Sequence, residues 1–471
     1  MMLLGWLLVG LTLIAGYGWS VRLLREQNWL TVLLGLALSV GLISLIMLWE
    51  GLLAIPLSLI SIAPPYFVLM LPGWWRVRPS LPTIPTQWEK RFALLILLAI
   101  CALELFNGAY WPFYRDDTIG IYQPVAQAIY HTQALVPLIG ADSLYRAYPV
   151  LIPLNYAYAY FASGWENEYL AKAIATLLSL ACIPAAYVLG KKLRGERTGW
   201  LAAMVLALTP FFGRWASSGY VDLPMAFFYT LAAIFALRLY DSDQTARESL
   251  VNAALAGVLI GLAAWTKNAA LIGVLLFALW LVWCWLNKRI RPSMIVIGMG
   301  MACLVASPWY VRNLLGAGFL IPATAWTDKA QHTLESAFVL VSHPENFGAP
   351  GWVILFGVAA AILLDLRRRA PGTLLLLLWT LPFFAAWWWF ASYDPRFLLM
   401  FLPLLCVLAG DLLARLWKWI GPAWHPRYLI VTILLTLILT APILLHSVDY
   451  KGSILRHPFM SDADKRALVG R

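Results

Sequence analysis

Residues 29–49 read WLTVLLGLALSVGLISLIMLW, an unbroken apolar run without a single charged side chain. About 20 such residues in an α-helix cross the roughly 30 Å hydrocarbon layer of a bilayer. Comparable runs recur along the rest of the chain, and each ends at a short polar or charged break. The stretch therefore predicts a membrane-spanning helix, and its recurrence predicts an all-α polytopic membrane protein.

The composition excludes a soluble globular domain. The 471 residues are 62% hydrophobic and 12% charged, whereas soluble domains average about 45–50% apolar and about 25% charged residues. Apolar runs of sufficient length predict about fourteen transmembrane helices. These runs lie at residues 2–19, 29–49, 52–73, 92–110, 166–189, 197–216, 221–240, 251–266, 268–286, 293–311, 350–364, 372–391, 397–416 and 427–446.

The basic residues follow a topological pattern. Alternate connections between the apolar runs hold 21 of the 34 lysines and arginines, in segments such as RLLRE, KKLRGER, KRIR and DLRRR. Because such residues accumulate in cytoplasmic loops, we expect these connections in the cytoplasm and both termini outside. A nucleic-acid-binding domain would instead cluster its basic residues on one soluble face. The net charge of +11 is therefore a topology signal.

Two connections on the predicted outer face are long, residues 111–165 and 312–349. Within the first, residues 120–134 (GIYQPVAQAIYHTQA) repeat apolar side chains at helical spacing. The pattern predicts an amphipathic helix at the membrane interface, and an ordinary surface helix fits the periodicity equally well. We therefore expect extracytoplasmic helices in addition to the spanning ones.

Several ionisable residues lie at the predicted outer ends of the membrane helices. Charges are costly at membrane depth, so their presence there indicates function. They come from six separate segments, and the predicted topology brings all of them to one face. The set is Glu104, Asp116, Asp117, Asp222, Lys267, Arg312, Asp394 and Arg396.

The segment YRDDTIGIY, residues 114–122, contains two adjacent carboxylates. Neighbouring acids raise each other's pKa, so one can act as a general base while the other orients a donor or holds a cation. Either Asp116 or Asp117 fits the role of the base. Taken alone, the dipeptide also fits a solvated loop or a helix cap.

Five sequence blocks follow one another in the order of a known family. They are Asp116-Asp117; Arg214, Asp222 and Phe227-Phe228; Gly261, Thr266 and Lys267; Pro308, Trp309, Arg312 and Asn313; and Arg396, Phe397, Leu398 and Pro403. The set resembles the GT-C superfamily of membrane glycosyltransferases, in particular the dolichyl-phosphate-mannose protein mannosyltransferases and the bacterial aminoarabinose transferase that modifies lipid A. The resemblance covers residues 90–416 and implies a GT-C-like bundle of transmembrane helices.

The resemblance implies a glycosyltransferase whose donor is a sugar on a polyprenyl phosphate. The leaving phosphate needs fixed positive charge in a water-poor site, and arginine binds phosphate oxygens in a forked geometry. Asp116 or Asp117 would take the proton of the acceptor hydroxyl as it attacks the anomeric carbon, with inversion. The residues assigned to substrate binding are Arg115, Asp222, Lys267, Arg312, Asn313 and Arg396.

A metal is an open part of this prediction. Carboxylates together with phosphate suit magnesium or manganese, whereas three cationic side chains already supply countercharge. The acidic pair also departs from the family, since Tyr122 lies further from Asp116 than the corresponding tyrosine does. Which of the two acids is the base therefore stays open.

The resemblance divides the chain into three parts. Residues 1–89 are expected to hold additional N-terminal membrane helices, and residues 90–446 the catalytic core. Residues 447–471 form a polar tail, too short for a hydrophobic core of its own.

Two other membrane functions stay open beside the glycosyltransferase. A flippase or transporter of a lipid-linked substrate places its charges near the bilayer midplane, between repeat-related helices. This chain shows no internal repeat and keeps its acids at one face. A surface-glycan polymerase or ligase is the second alternative. We expect a multi-pass cell-membrane protein with an extracytoplasmic active site, a lipid-linked sugar donor, and a glycan, lipid or protein acceptor.

Overall fold

The regular structure of the protein is helical throughout the part that the structure describes. The computed structural model describes residues 2–79, 87–138, 146–241, 243–321, 327–419, 438 and 448–471. In these residues there is no β-strand, and nine helices are long and apolar enough to cross a membrane. The predicted all-α, multi-pass membrane fold is confirmed. Apart from Ile438, the last predicted span, 427–446, lies outside the described residues.

The first of two compact units is built from Met1–Pro82, Asp117–Ile174 and Pro224–Asp328. Its α-helices are Met2–Ala15, Tyr17–Leu24, Trp29–Leu52, Leu59–Met70, Gln123–Thr132, Leu151–Ser163, Ala246–Thr266, Leu271–Leu286 and Pro292–Ala317. Short 3₁₀ helices lie at Leu71–Trp74 and Asn268–Ala270, and a π-helix lies at Thr118–Tyr122.

The second unit is built from Thr83–Asp116, Ala175–Leu223 and Lys329–Arg471. Its helices are Trp88–Tyr110, Cys182–Arg194, Glu196–Ala207, Pro210–Ala216, Leu334–Ala337, Val339–Ser342, Pro344–Ala360, the π-helix Ala361–Asp365, Pro371–Phe390, the 3₁₀ helix Pro395–Met400, Leu402–Trp419, Lys451–Arg456 and Asp462–Leu468. Three helices belong partly to each unit, namely Glu168–Leu180, Asp222–Arg238 and the 3₁₀ helix Thr327–Lys329. The chain thus passes repeatedly between the units.

Small residues bring two long helices of the first unit into close contact. A Cβ atom on Gly257 would lie 2.1 Å from the carbonyl oxygen of Gly298, and one on Gly261 would lie 2.8 Å from that of Ala302. These positions join the Ala246–Thr266 and Pro292–Ala317 helices. Lipid supplies no hydrophobic force between helices, so close packing of this kind is a main source of their association.

One buried helix was missed by the sequence analysis, which placed residues 151–163 in the outer connection. Twelve of the thirteen residues of Leu151–Ser163 are buried. At about 20 Å the helix is too short to cross a bilayer, which is why a search for spanning runs overlooks it. The Asn155 amide donates to the hydroxyl of Ser44 at 2.6 Å, which ties this helix to Trp29–Leu52.

The predicted amphipathic helix is present as Gln123–Thr132. Its apolar residues Val125 and Ile129 are buried, and the helix packs against Leu151–Ser163. Its apolar face is therefore covered by protein.

The second unit has two polar ends. Lys90, near the start of Trp88–Tyr110, pairs with Glu196 at 2.6 Å. At the other end of this helix, about 25 Å away, the Asn107 amide donates to the hydroxyl of Ser217 at 2.9 Å. The basic connections containing KKLRGER and DLRRR lie at the Lys90 end, since Arg194 pairs with Asp365 at 2.8 Å. The candidate site residues of this unit lie at the Asn107 end.

Candidate functional site

Two arginines of the second unit pack on one tryptophan ring. The guanidinium carbon of Arg396 lies 5.4 Å from the centre of the Trp215 ring, and that of Arg115 lies 5.7 Å from it. Trp215 belongs to the short Pro210–Ala216 helix, which begins where Pro210 interrupts the predicted span 197–216.

Arg396 is held by carboxylates and aromatic rings. Its Nε lies 3.8 Å from Oδ2 of Asp222, and its Nη2 lies 3.3 Å from Oδ2 of Asp394. The Tyr220 ring centre is 4.5 Å from the guanidinium carbon. Asp394 also caps the Pro395–Met400 turn by accepting from the Arg396 backbone N–H at 2.8 Å. Asp222, predicted to bind substrate, lies within ion-pair distance of Arg396.

Arg115 has a different environment. Its guanidinium lies 4.9 Å from the Tyr114 ring centre, and its Nε is buried without a hydrogen-bond partner among the described residues. Burial lowers the pKa of Arg115, and the nearby Tyr220, Tyr450 and Asp116 partly oppose this effect. Because arginine stays charged in proteins, its unmatched donors favour an anionic ligand.

The two predicted acids fall in different units. Asp116 is exposed and ends a stretch of the second unit. No ion pair or hydrogen bond of its carboxylate occurs within the described ranges, so the group is open to a ligand. Asp117 begins a stretch of the first unit and precedes the π-helix Thr118–Tyr122, a feature frequent at functional sites.

A buried polar chain lies next to Arg115 in the second unit. Oε2 of Glu104 accepts from Ser217 at 2.9 Å, and Ser217 accepts from the Asn107 amide at 2.9 Å. Asn107 also donates to the carboxylate of Asp449 at 3.3 Å, and the hydroxyl of Tyr114 donates to the same carboxylate oxygen. Of this set, only Glu104 was predicted from the sequence. The i, i+3 spacing of Glu104 and Asn107 places both polar side chains on one face of an apolar helix, and this spacing could have indicated that Asn107 belongs to the set.

Lys267 lies in the first unit at a break between two helices. Ala246–Thr266 ends at the preceding residue, and the Lys267 backbone is extended (φ −154°, ψ 135°). The Tyr310 hydroxyl donates to the carbonyl oxygen of Ala264 at 2.7 Å and contacts Oδ1 of Asn268 at 3.1 Å. Tyr310 thus contacts the backbone before the predicted Thr-Lys turn and a side chain directly after it.

The Pro-Trp-x-x-Arg-Asn block, also in the first unit, anchors a loop. Nδ2 of the fully buried Asn313 donates to the carbonyl oxygen of Ala147 at 2.9 Å, and Nε1 of Trp309 donates to the same oxygen at 3.2 Å. Arg312 lies 4.4 Å from the Trp309 ring centre and donates to the carbonyl oxygen of Val136. Asn313, predicted to bind substrate, therefore has a structural contact in this block.

No metal-ligand cluster occurs in the described parts of the chain. Nowhere in them do three His, Cys, Asp or Glu side chains come together as ligands.

Comparison with known proteins supports the resemblance found in the sequence. Residues 158–311 match the family model of the dolichyl-phosphate-mannose-protein mannosyltransferases. Among solved structures, ArnT from Cupriavidus metallidurans bound to undecaprenyl phosphate is 19% identical, with a TM-score of 0.56 over 73% of this chain and 63% of ArnT. The chain has the GT-C fold.

Two further GT-C structures come from an archaeal enzyme. The oligosaccharyltransferase AglB from Archaeoglobus fulgidus, in complex with an inhibitory peptide and a dolichol-phosphate, is 13% identical, with a TM-score of 0.51 over 81% of this chain and 60% of AglB. The oligosaccharyltransferase of the same organism tethered to an acceptor peptide is 14% identical, with a TM-score of 0.53 over 84% of this chain and 59% of that chain. No curated protein sequence matches the chain.

The family match covers only some of the candidate site residues. The family match includes Asp222 and Lys267, but it ends before Arg312 and does not reach Arg115 or Arg396. The chain spans just under two thirds of the length of the ArnT structure. At these identities the solved structures establish the fold.

Proposed function

We propose that this protein is a glycosyltransferase that moves a hexose or pentose from a polyprenyl-phosphate donor to an extracytoplasmic acceptor, with inversion at the anomeric carbon. The acceptor is a glycan, a lipid or a protein. The GT-C fold, the mannosyltransferase family match and the undecaprenyl phosphate bound to ArnT support a lipid-phosphate donor. We further propose that the reaction takes place on the outer face of the cell membrane.

The observation that carries the proposal is the pair of arginines on Trp215. Arg396 is already neutralised by Asp222 and Asp394, whereas the buried Nε of Arg115 has no hydrogen-bond partner in the described part of the chain. A phosphate group supplies oxygen acceptors for such donors and the negative charge that both guanidinium groups favour. The Trp215 ring shields one side of both guanidinium groups from water, which strengthens their attraction to phosphate.

The proposed reaction follows from this charge arrangement. The acceptor hydroxyl oxygen forms a bond to the anomeric carbon as the bond from that carbon to the phosphate oxygen breaks. The electron pair of the broken bond leaves with the phosphate, where the arginines stabilise the added negative charge. The hydroxyl proton passes to a carboxylate, for which Asp116 and Asp117 are the candidates. Attack from the face opposite the phosphate inverts the configuration.

Lys267 and Arg312 are proposed as further donor ligands on the basis of their sequence blocks. A lysine provides a compact positive charge for phosphate, and an arginine can provide two parallel donors. The contacts of Arg312 with Trp309 and Val136 also give it a structural role, so a loss of activity in an Arg312 variant requires a parallel measurement of stability.

A binding experiment tests the proposal directly. The full chain, purified in detergent, should bind undecaprenyl phosphate, and Arg115→Ala and Arg396→Ala should each weaken binding by roughly 10- to 100-fold, the value of a charged hydrogen bond. Arg197→Ala is the matched control, because Arg197 also lies over a tryptophan ring, 5.5 Å from the centre of Trp417. Equal affinity in all four proteins would contradict the proposal.

Product analysis tests the reaction class. With an undecaprenyl-phosphate sugar and extracted envelope acceptors, the wild-type protein should release undecaprenyl phosphate in step with a glycosylated product. Movement of the intact donor across a vesicle membrane without release of the sugar would instead indicate a flippase. Mass spectrometry of envelope glycolipids and glycoproteins, with and without the protein, identifies the sugar and the acceptor.

A further inference from the structure

The C-terminal tail packs against the end of the Trp88–Tyr110 helix where the candidate site lies. Nζ of Lys465 lies 3.8 Å from the Tyr110 ring centre, and the guanidinium of Arg471 donates to the carbonyl oxygen of Phe113 at 2.6 Å. The rings of Trp111 and Tyr450 lie 5.1 Å apart. The tail is therefore an ordered part of this end of the second unit.

Asp449 is the tail residue with the closest connection to the site. Its carboxylate accepts from the Asn107 amide at 3.3 Å and from the Tyr114 hydroxyl. Its backbone N–H donates to Oδ1 of Asn107 at 3.1 Å. Asn107 and Asp449 thus bind each other through backbone and side chain, which fixes the position of the carboxylate that Tyr114 contacts.

Tyr114 connects Asp449 to Arg115. The Arg115 guanidinium lies over the Tyr114 ring at 4.9 Å from its centre, while the hydroxyl of the same ring is held by Asp449. Because its hydroxyl is hydrogen-bonded, the Tyr114 ring keeps a fixed orientation beneath the Arg115 guanidinium. Asp449 therefore acts on Arg115 through Tyr114, without contacting it in the described structure.

We propose that Asp449 is a positioning residue for donor binding, which holds Tyr114 so that Arg115 keeps the orientation that receives the donor phosphate. The inference rests on the proposed function, because it assumes that Arg115 binds the phosphate. The other tail contacts could dock the tail without this half-buried carboxylate, and a carboxylate is costly to remove from water. A role in the candidate site explains why the Asp449 carboxylate lies beside Tyr114.

The test compares variants that remove the hydrogen bond between Tyr114 and Asp449 from either side, Asp449→Ala also removing the one that Asn107 donates. Asp449→Ala and Tyr114→Phe should each weaken the binding of undecaprenyl phosphate to the full chain by about fivefold, the value of one neutral hydrogen bond. The double variant should bind no more weakly than the weaker single variant, because both changes remove the same contact. Asp449→Asn keeps an acceptor oxygen and should restore affinity. Turnover at saturating donor should fall by a similar factor in Asp449→Ala and Tyr114→Phe, because a displaced Arg115 also stabilises the leaving phosphate less well, and should recover in Asp449→Asn.

Two control variants separate positioning from general docking of the tail. Lys465→Ala removes the tail contact with the Tyr110 ring. Asp464→Asn alters a tail carboxylate that accepts hydrogen bonds from Ser461 in the described structure. Both should keep wild-type donor affinity. A loss in Lys465→Ala equal to that in Asp449→Ala would overturn the inference, since it would show that tail docking alone matters.

The outcomes also distinguish this inference from the proposed function. If Arg115→Ala loses donor binding while Asp449→Ala and Tyr114→Phe retain it, the positioning role is wrong and the proposed function stands. Additive losses in the double variant would likewise contradict the positioning role. If the wild-type protein does not bind undecaprenyl phosphate, both fail.

Discussion

Arg115 and Arg396 share the indole ring of Trp215, at 5.7 and 5.4 Å from its centre. Two cations near one ring repel each other, and the repulsion is strong where water is excluded. The carboxylates of Asp222 and Asp394 balance the positive charge of Arg396. No carboxylate of the described chain lies within ion-pair distance of Arg115. The two neighbouring guanidinium groups are therefore more stable with an anion bound beside them than without one.

Trp215→Ala should weaken the binding of undecaprenyl phosphate by about tenfold, because each cation–π contact contributes roughly 0.5–2 kcal/mol. Trp215→Phe keeps a ring under both arginines and should lose less. Trp417→Ala removes the ring below Arg197 and serves as the control. Titration of the three purified variants with the lipid measures the effect. Wild-type affinity in Trp215→Ala would show that the shared ring has no part in donor binding.

Substitution of the two acids should identify the base. Asn at the catalytic position should lower turnover by about 10²–10⁴-fold, the usual value of lost general-base catalysis, with donor binding retained. The exposure of Asp116 makes it accessible to an acceptor, while Asp117 precedes a π-helix. Single-turnover rates of Asp116→Asn and Asp117→Asn provide the comparison. Two variants with wild-type rates would remove the acidic pair from the mechanism.

Asn313→Ala should lower stability more than it lowers donor affinity. The change removes a donor to the carbonyl oxygen of Ala147 in a fully buried position, and loss of a buried partner costs about 1–3 kcal/mol. Thermal unfolding in detergent measures the first effect, and titration with undecaprenyl phosphate measures the second. If the variant unfolds like the wild type but no longer binds the lipid, Asn313 is a ligand and not an anchor.

The membrane fold could be predicted from the sequence because apolar runs and their basic flanks are local features. The Trp29–Leu52 helix agrees with the predicted span 29–49 to within a few residues. The buried Leu151–Ser163 helix could not be predicted this way, because a helix shorter than the bilayer leaves no hydropathy signal of crossing.

The site could be predicted only in part, for a similar reason. Asp222 and Arg396 were found because charges near apolar helices are conspicuous, and Arg115 was assigned with the residues that the family resemblance implies. The structure brings these three to one end of the second unit. Asp449 was missed because it contacts Asn107 and Tyr114 from more than 300 residues further along the chain. Neither periodicity nor composition reports a contact of that kind.

Docking of the C-terminal tail should weaken as the pH rises. Burial raises the pKa of Asp449, and the hydrogen bond from Asn107 only partly opposes this. An undocked Asp449 loses its proton from about pH 4, near the ordinary carboxyl value, whereas the docked residue keeps its proton to higher pH. The contribution of Asp449 to docking is therefore full at low pH and falls as the pH rises from about 4 through the raised value.

Limited proteolysis of the tail across this pH range measures the effect. Protection of residues 448–471 should decrease with rising pH in the wild type. Asp449→Asn, which does not titrate, should show a flatter profile. Identical profiles for the two proteins would mean that Asp449 does not control the pH dependence.

The orientation of the protein in the membrane decides whether the donor can be a lipid phosphate of the outer leaflet. In the second unit, the tail contacts residues 110–114, so the tail and Arg115 lie at the same end of the Trp88–Tyr110 helix. The basic segment DLRRR lies at the opposite end. The distribution of lysine and arginine predicts that the basic end is cytoplasmic.

Cysteine labelling tests this prediction in right-side-out membrane vesicles. His457→Cys and Arg368→Cys place single thiols on exposed residues at the two ends, in a background without the native cysteines, since Cys303 is exposed on its helix. A membrane-impermeant thiol reagent should label His457→Cys in intact vesicles and Arg368→Cys only after the membrane is opened. The reverse pattern would place Arg115 and Asp116 in the cytoplasm, where soluble nucleotide sugars are available. A lipid-phosphate donor on the outer leaflet would then be untenable, even for a protein that still transfers sugar.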